Sequence, residues 1–201
     1  MLIGAWAVGL GPLVYLGFDF LSSGPWVNPI EALLDWAGVS ALTLLVASLA
    51  VTPVRRLTGF NPLIKARRTV GLFAFFYACT HFLVYLVLDQ GLAWNFILED
   101  IAERPYIIAG TSALVLLVPL AVTSTTGWIR RLGRRWARLH RLVYVAAGLA
   151  VLHFFWQVKL DTRLPLIYAG VLAALLLARL PVVRGVVSRG PRKGTSPAGT
   201  Q

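Results

Sequence analysis

The chain has 201 residues, of which 58% are hydrophobic and only 13% charged, and its mean hydropathy is +0.74. A soluble domain carries about 25% charged residues, so composition excludes a water-soluble globule, and the same apolar content excludes a disordered chain. A single cysteine, Cys79, excludes an internal disulfide framework and any cysteine-based zinc or iron–sulfur centre, and the net charge of +11 has to be judged by where the charges fall relative to a bilayer.

Six uncharged runs follow one another: 1–18, 38–54, 69–88, 105–129, 142–158 and 164–178. A helix needs about 20 residues to cross a hydrocarbon core of ~30 Å, and flanking arginines extend the shorter runs by snorkelling. The expectation is an all-α integral membrane protein, a bundle of six transmembrane helices. The first run lacks a basic leader and a small-residue cleavage site, so it reads as a span and not as a signal peptide. Between the third and fourth runs, residues 92–104 set Phe96, Ile97 and Ile101 against Glu99, Asp100 and Glu103, the pattern of an amphipathic helix on the outer surface. Residues 1–182 form the transmembrane domain. Residues 183–201 are a basic, cytoplasmic, disordered tail whose end is rich in Pro, Gly, Ser and Thr. No internal repeat is evident, and no Gly-rich dinucleotide fingerprint follows a strand.

The loops alternate in charge. Segment 52–68 carries Arg55, Arg56, Lys65, Arg67 and Arg68 without an acid, and segment 124–141 carries six arginines without an acid. With Arg179 and the tail, 16 of the 19 basic residues fall on one side, and all eight acids fall on the other. The positive-inside rule then places both termini in the cytoplasm. The bases face anionic headgroups, which accounts for the charge without nucleic acid.

The chain has three histidines. His81 lies 13 residues past Arg68 and His153 lies 12 residues past Arg141, so both sit roughly 18–20 Å from the cytoplasmic ends of helices running the same way. Imidazoles at matching depth on two helices are what a cofactor gripped from both faces requires, and neutral imidazole is a good iron ligand. The alternative is interhelical hydrogen bonding alone. His140 is 13 residues before His153, about 20 Å lower, a spacing that suits a second haem, but about 140° round a straight helix, so that second haem would need a kink or a helix start beside His140. It is open to three readings: a structural residue, a ligand of a second haem with a non-His partner, or the lining of a quinone or flavin pocket. Arg67 and Arg68 stand where a second histidine of the third helix would be needed. They are suited to haem propionates, a flavin phosphate or lipid phosphate, with a topology signal as the simpler reading. Trp94, Trp128, Trp136 and Trp156 fit an aromatic belt.

The strings TPVRR (52–56), KARRTVGL (65–72), ERPYI (103–107), TSTTGWIRRLGRRWARLHRLVY (123–144) and HFFWQVK (153–159), with the His81 helix, resemble the MsrQ (YedZ) family over roughly residues 38–168. These are haem-binding membrane subunits of the bacterial methionine-sulfoxide reductase system, within the ferric-reductase-like group. The resemblance implies haem b held by His81, His140 and His153, and FMN as a further cofactor. It also implies electrons taken from the quinone pool or a cytosolic flavin reductase, and a periplasmic molybdopterin partner, MsrP-like, that reduces methionine sulfoxide. The location implied is the bacterial inner membrane. Wider relatives carry a second histidine on the third helix, which this chain lacks.

Two functions follow. The first is a non-catalytic electron-transfer subunit of an oxidoreductase, in which axial ligands and burial tune a haem. The second is a non-redox membrane anchor or assembly protein with structural histidines.

Overall fold

A computed structural model of the chain describes residues 2–23, 26–158 and 160–179. Among the described residues every regular element is helical: α1 (Leu2–Ser23), α2 (Pro29–Thr58), α3 (Leu63–Leu83), α4 (Trp94–Glu103), α5 (Pro105–Val122), α6 (Thr126–Leu132), α7 (Arg134–Leu139), α8 (Leu142–Gln157) and α9 (Arg163–Leu177). Five stretches are long and apolar enough to cross a membrane: Ile3–Ser22, Pro29–Thr58, Leu63–Asp89, Pro105–Val122 and Arg134–Gln157. The protein is therefore a multi-pass membrane protein. The sixth expected run forms α9, which has 15 residues and a length of about 22 Å, short of a full crossing. The tail at 183–201 lies outside the described residues.

Local chemistry sets the helix ends. Asn28 caps α2 by accepting the backbone N–H of Glu31 at 3.3 Å, while its amide donates to the Glu31 carboxylate at 3.0 Å. Pro29 follows at the first position, where its missing N–H costs nothing. Gly59, in the left-handed conformation at φ 70°, ends the helix by returning its N–H to the Arg55 carbonyl. Beyond Leu83, α3 widens into a π turn, Val84–Asp89, in which the Gln90 N–H bonds the Tyr85 carbonyl at 2.9 Å.

The bundle is organised as two helix pairs, α2 with α3 and α5 with α8. Small residues at the contacts let the backbones approach: Ala74 in α3, and Ala113, Ala146 and Ala147 in α5 and α8, are all buried. The side elements are tied on by hydrogen bonds that apolar surroundings cannot supply otherwise. Tyr77 donates to the Gly9 carbonyl at 2.8 Å and Trp36 to the Pro12 carbonyl at 2.9 Å, fixing α1. The hydroxyls of Tyr168 and Thr43, 2.6 Å apart, fix α9 to α2.

The two pairs are copies of one another, offset by 72 residues. AGVSALTLLV at 37–46 matches AGTSALVLLV at 109–118 in eight of ten positions. Ala74, Ala78, His81 and Phe82 recur as Ala146, Ala150, His153 and Phe154. This corrects the expectation of no internal repeat. The copies differ at the basic end. The first runs unbroken to Thr58, whereas the second breaks at Thr123 and continues through the short α6 and α7.

Candidate functional site

His81 comes from α3 and His153 from α8, one from each copy. The Nδ1 of His81 lies 2.9 Å from the Leu34 carbonyl of α2, and the Nδ1 of His153 lies 2.6 Å from the Tyr106 carbonyl of α5. A carbonyl only accepts, so each Nδ1 carries the proton and donates. Each Nε2 is thereby left with its lone pair, the form that binds a metal. The two ring centres are 6.0 Å apart and the planes are nearly perpendicular, at 84°. A metal bonded to one nitrogen of each ring at about 2 Å, with half a ring on either side, spans about that distance.

Both imidazoles line one cavity of 590 Å³, within the range of about 300–1,000 Å³ usual for cofactor sites. Its interior is apolar, with Leu42, Leu45, Ala74 and Leu117 among the lining residues, and polar groups such as Asn28, Glu31, Asp89, Arg104 and Gln157 complete it. Among the described residues no three His, Cys, Asp or Glu side chains converge as a metal site. Two neutral imidazoles in an apolar slot fit a metal whose other ligands come from a flat macrocycle, and a bis-His haem has that donor set. The cavity reaches the acidic end of the bundle. His81 is eight residues from Asp89, about 12 Å along the helix, against about 20 Å back to Arg68.

A carboxylate braces this end. Asp100 is 9% exposed. It accepts from the Tyr85 hydroxyl at 3.2 Å, from the Gln90 amide at 3.2 Å and from the Arg104 Nε at 3.1 Å. It thus ties α4 to the π turn and to the start of α5. Within α4, Ile97 is buried while Trp94, Phe96 and Leu98 project outward; Phe96, placed on the apolar face by the pattern of 92–104, is exposed, and Asp100, placed on the polar face, is buried because it serves as this brace.

His140 does not line the cavity. It sits in the turn between α7 and α8, so the helix start required beside it is present. Its Nε2 lies 3.1 Å from the Thr123 hydroxyl, which donates to the Pro119 carbonyl at 2.6 Å. The Trp136 ring stacks on His140 at 4.0 Å, with its indole N–H 3.0 Å from the Thr123 carbonyl. Arg67 and Arg68 are likewise at the basic end, away from His81 and His153. Arg67 lies within electrostatic reach of Arg179, Tyr144 and His140. Arg68 and Lys65 border a separate groove with Trp6, Leu10 and Phe73 between α1 and α3. The structure therefore brings two of the three histidines together and leaves His140 with the arginines at the opposite end.

Sequence reasoning missed Leu34, Gly38, Tyr106, Gly110, Asp100 and Arg104. A signal for the glycines was present: each stands 43 residues before a membrane histidine, inside the repeated AG-x-SAL string.

A family profile described as the ferric reductase like transmembrane component matches residues 37–151. The protein-methionine-sulfoxide reductase haem-binding subunit MsrQ of Rhodospirillum rubrum is 54% identical over 175 residues, covering 86% of this chain and 84% of that one. The subunit of the same name from Xanthomonas axonopodis pv. citri is 45% identical over 200 residues, covering 96% and 92%. That from Xanthomonas campestris pv. campestris is 49% identical over 176 residues, covering 85% and 81%. No solved structure matches the chain.

Proposed function

This chain belongs to the MsrQ haem-binding subunits within the ferric-reductase-like transmembrane family, and from that premise we propose that it is the electron-transfer subunit of a methionine-sulfoxide reductase. It carries electrons from the basic, cytoplasmic side of the bacterial inner membrane to a periplasmic molybdopterin reductase, MsrP-like, that repairs oxidised proteins. The observation that carries this reading is the pair of imidazoles 6.0 Å apart in one cavity, each with Nδ1 held by a backbone carbonyl.

His81 and His153 would hold a b-type haem through their Nε2 atoms, and the haem would supply one-electron chemistry there. The carbonyls of Leu34 and Tyr106 keep both Nε2 atoms unprotonated. Leu42, Leu45, Ala74 and Leu117 exclude water from the interior. Arg104 is the cation among the cavity-lining residues and stands ready for a haem carboxylate. At the other end, Arg67, Arg68 and His140 face the donor side, where a flavin phosphate (FMN) or a quinone meets the bundle. The donor is the quinone pool or a flavin reductase. All six apolar runs of the sequence are membrane segments in this reading, and both termini are cytoplasmic.

A pyridine haemochrome assay with reduced-minus-oxidised spectra on the purified chain tests the ligand assignment. The expected result is a low-spin b-type spectrum that His81→Ala and His153→Ala each abolish and His140→Ala leaves standing. A full haem complement in His81→Ala rejects the assignment, and a colourless parent protein supports the anchor reading instead.

A further inference from the structure

Building on the haem site proposed above, we propose that Gly38 and Gly110 are positioning residues that set the orientation of the two ligand imidazoles. A Cβ built on Gly38 would lie 3.1 Å from the Nδ1 of His81, and one built on Gly110 would lie 2.6 Å from the Nδ1 and 2.9 Å from the Cε1 of His153. Both contacts fall on the nitrogen that bonds the carbonyl.

The reason lies in helix geometry. The carbonyl of residue i receives the N–H of residue i+4, so Leu34 is paired with Gly38 and Tyr106 with Gly110. Cα–Cβ bonds lean toward the helix N-terminus, so a side chain at i+4 would cover the carbonyl at i. Removing that side chain opens the carbonyl to a second donor from the neighbouring helix, and in both copies that donor is a histidine Nδ1–H. Neither glycine has a positive φ, so backbone conformation does not call for glycine. Alanine is the better helix former at both positions. Gly148 in α8 and Gly170 in α9 have nothing within 4 Å of a built Cβ, and Gly9 and Gly71 are crowded by Phe73 and Ser48, so among the described glycines only Gly38 and Gly110 are crowded by an imidazole held on a backbone carbonyl.

The hydrogen bond from Nδ1 fixes the tautomer and raises the basicity of the coordinating nitrogen, and such outer-shell partners are commonly worth about 10–100-fold in metal affinity. A methyl at 38 or 110 forces the imidazole to retreat or turn, which lengthens that bond and changes the angle between the ring planes. The contact at Gly110 is the tighter, so its effect is the larger.

The test compares Gly38→Ala, Gly110→Ala and the control Gly148→Ala in the full chain, purified in detergent from haem-replete cells. The readouts are haem per protein, the electron paramagnetic resonance spectrum of the ferric form and the midpoint potential. Gly148→Ala is expected to match the parent. Gly38→Ala is expected to keep haem with altered g-anisotropy and a shifted potential, and Gly110→Ala to lose roughly 10-fold or more in haem affinity. If Gly110→Ala does not accumulate, Gly38→Ala decides alone: a changed spectrum supports the proposal and an unchanged one overturns it. A haem-loaded parent matched by both variants overturns the positioning role only, whereas a parent without haem overturns the site as well.

Discussion

Arg104 shows how a residue acquires a role from its surroundings. Read along the chain it is one of three basic residues on the acidic side. In the fold its guanidinium is paired with Asp100 at 3.1 Å, its side chain is 51% exposed, and it lines the cavity that holds His81 and His153. An exposed charge pair is worth roughly 0–1 kcal/mol, so Arg104→Gln is expected to weaken haem retention by up to about five-fold without removing the low-spin spectrum. Haem transfer to apomyoglobin measures this, and an unchanged rate excludes Arg104 from carboxylate binding. His81 and His153, by contrast, were legible directly. An ionisable group inside a run of apolar residues stands out, and helix rise converts its position into depth. Their hydrogen-bond partners were not legible, because Leu34 and Tyr106 contribute backbone carbonyls that every residue possesses.

Among the elements, the π turn and α4 depend on one another. The wider turn at 84–89 begins three residues past His81 and includes Tyr85, whose hydroxyl reaches Asp100 in α4, with Gln90 and Arg104 completing the set. A buried carboxylate that loses its place leaves three donors unpaired. Asp100→Ala is expected to cost about 2–3 kcal/mol and to expose the α4 segment to protease before the rest of the bundle melts. Thermal denaturation in detergent with limited proteolysis checks this, and a parent-like melting temperature with α4 still protected refutes the brace. Residues 92–104 announced a helix by their amphipathic pattern, and the chain forms one at Trp94–Glu103. The π turn carried no such signal. The 140° offset between His140 and His153 made a break beside His140 a condition of a second haem there, and the chain breaks between α7 and α8. What fills the space around His140, Trp136 and Thr123, was not legible.

At the scale of the molecule, charge and symmetry describe different axes. Along the membrane normal the basic and acidic loops alternate, which sets the orientation proposed here. In a Cys79→Ala background, Leu160→Cys in the acidic loop is expected to react with an impermeant maleimide from the periplasm. Asn61→Cys is expected to react only after the inner membrane is opened, and the reverse pattern overturns the orientation. Across the membrane plane the two copies, offset by 72 residues, pair, and one imidazole comes from each. The repeat escaped a reading by hydropathy because apolar spans resemble one another whatever their origin. It becomes visible once each glycine is tied to the histidine 43 residues later.

Composition, the alternation of charge and the presence of histidines in apolar runs are properties of the chain taken one residue at a time. They sufficed for an all-helical membrane protein with a basic and an acidic face and a pair of metal-ligand candidates at equal depth. The joining of each imidazole to a carbonyl 47 residues upstream, the opening of the cavity at the acidic end and the place of Arg104 on its lining were decided by tertiary structure. Each of these is a relation between helices distant in sequence, and packing alone determines which backbone atoms come within hydrogen-bonding reach.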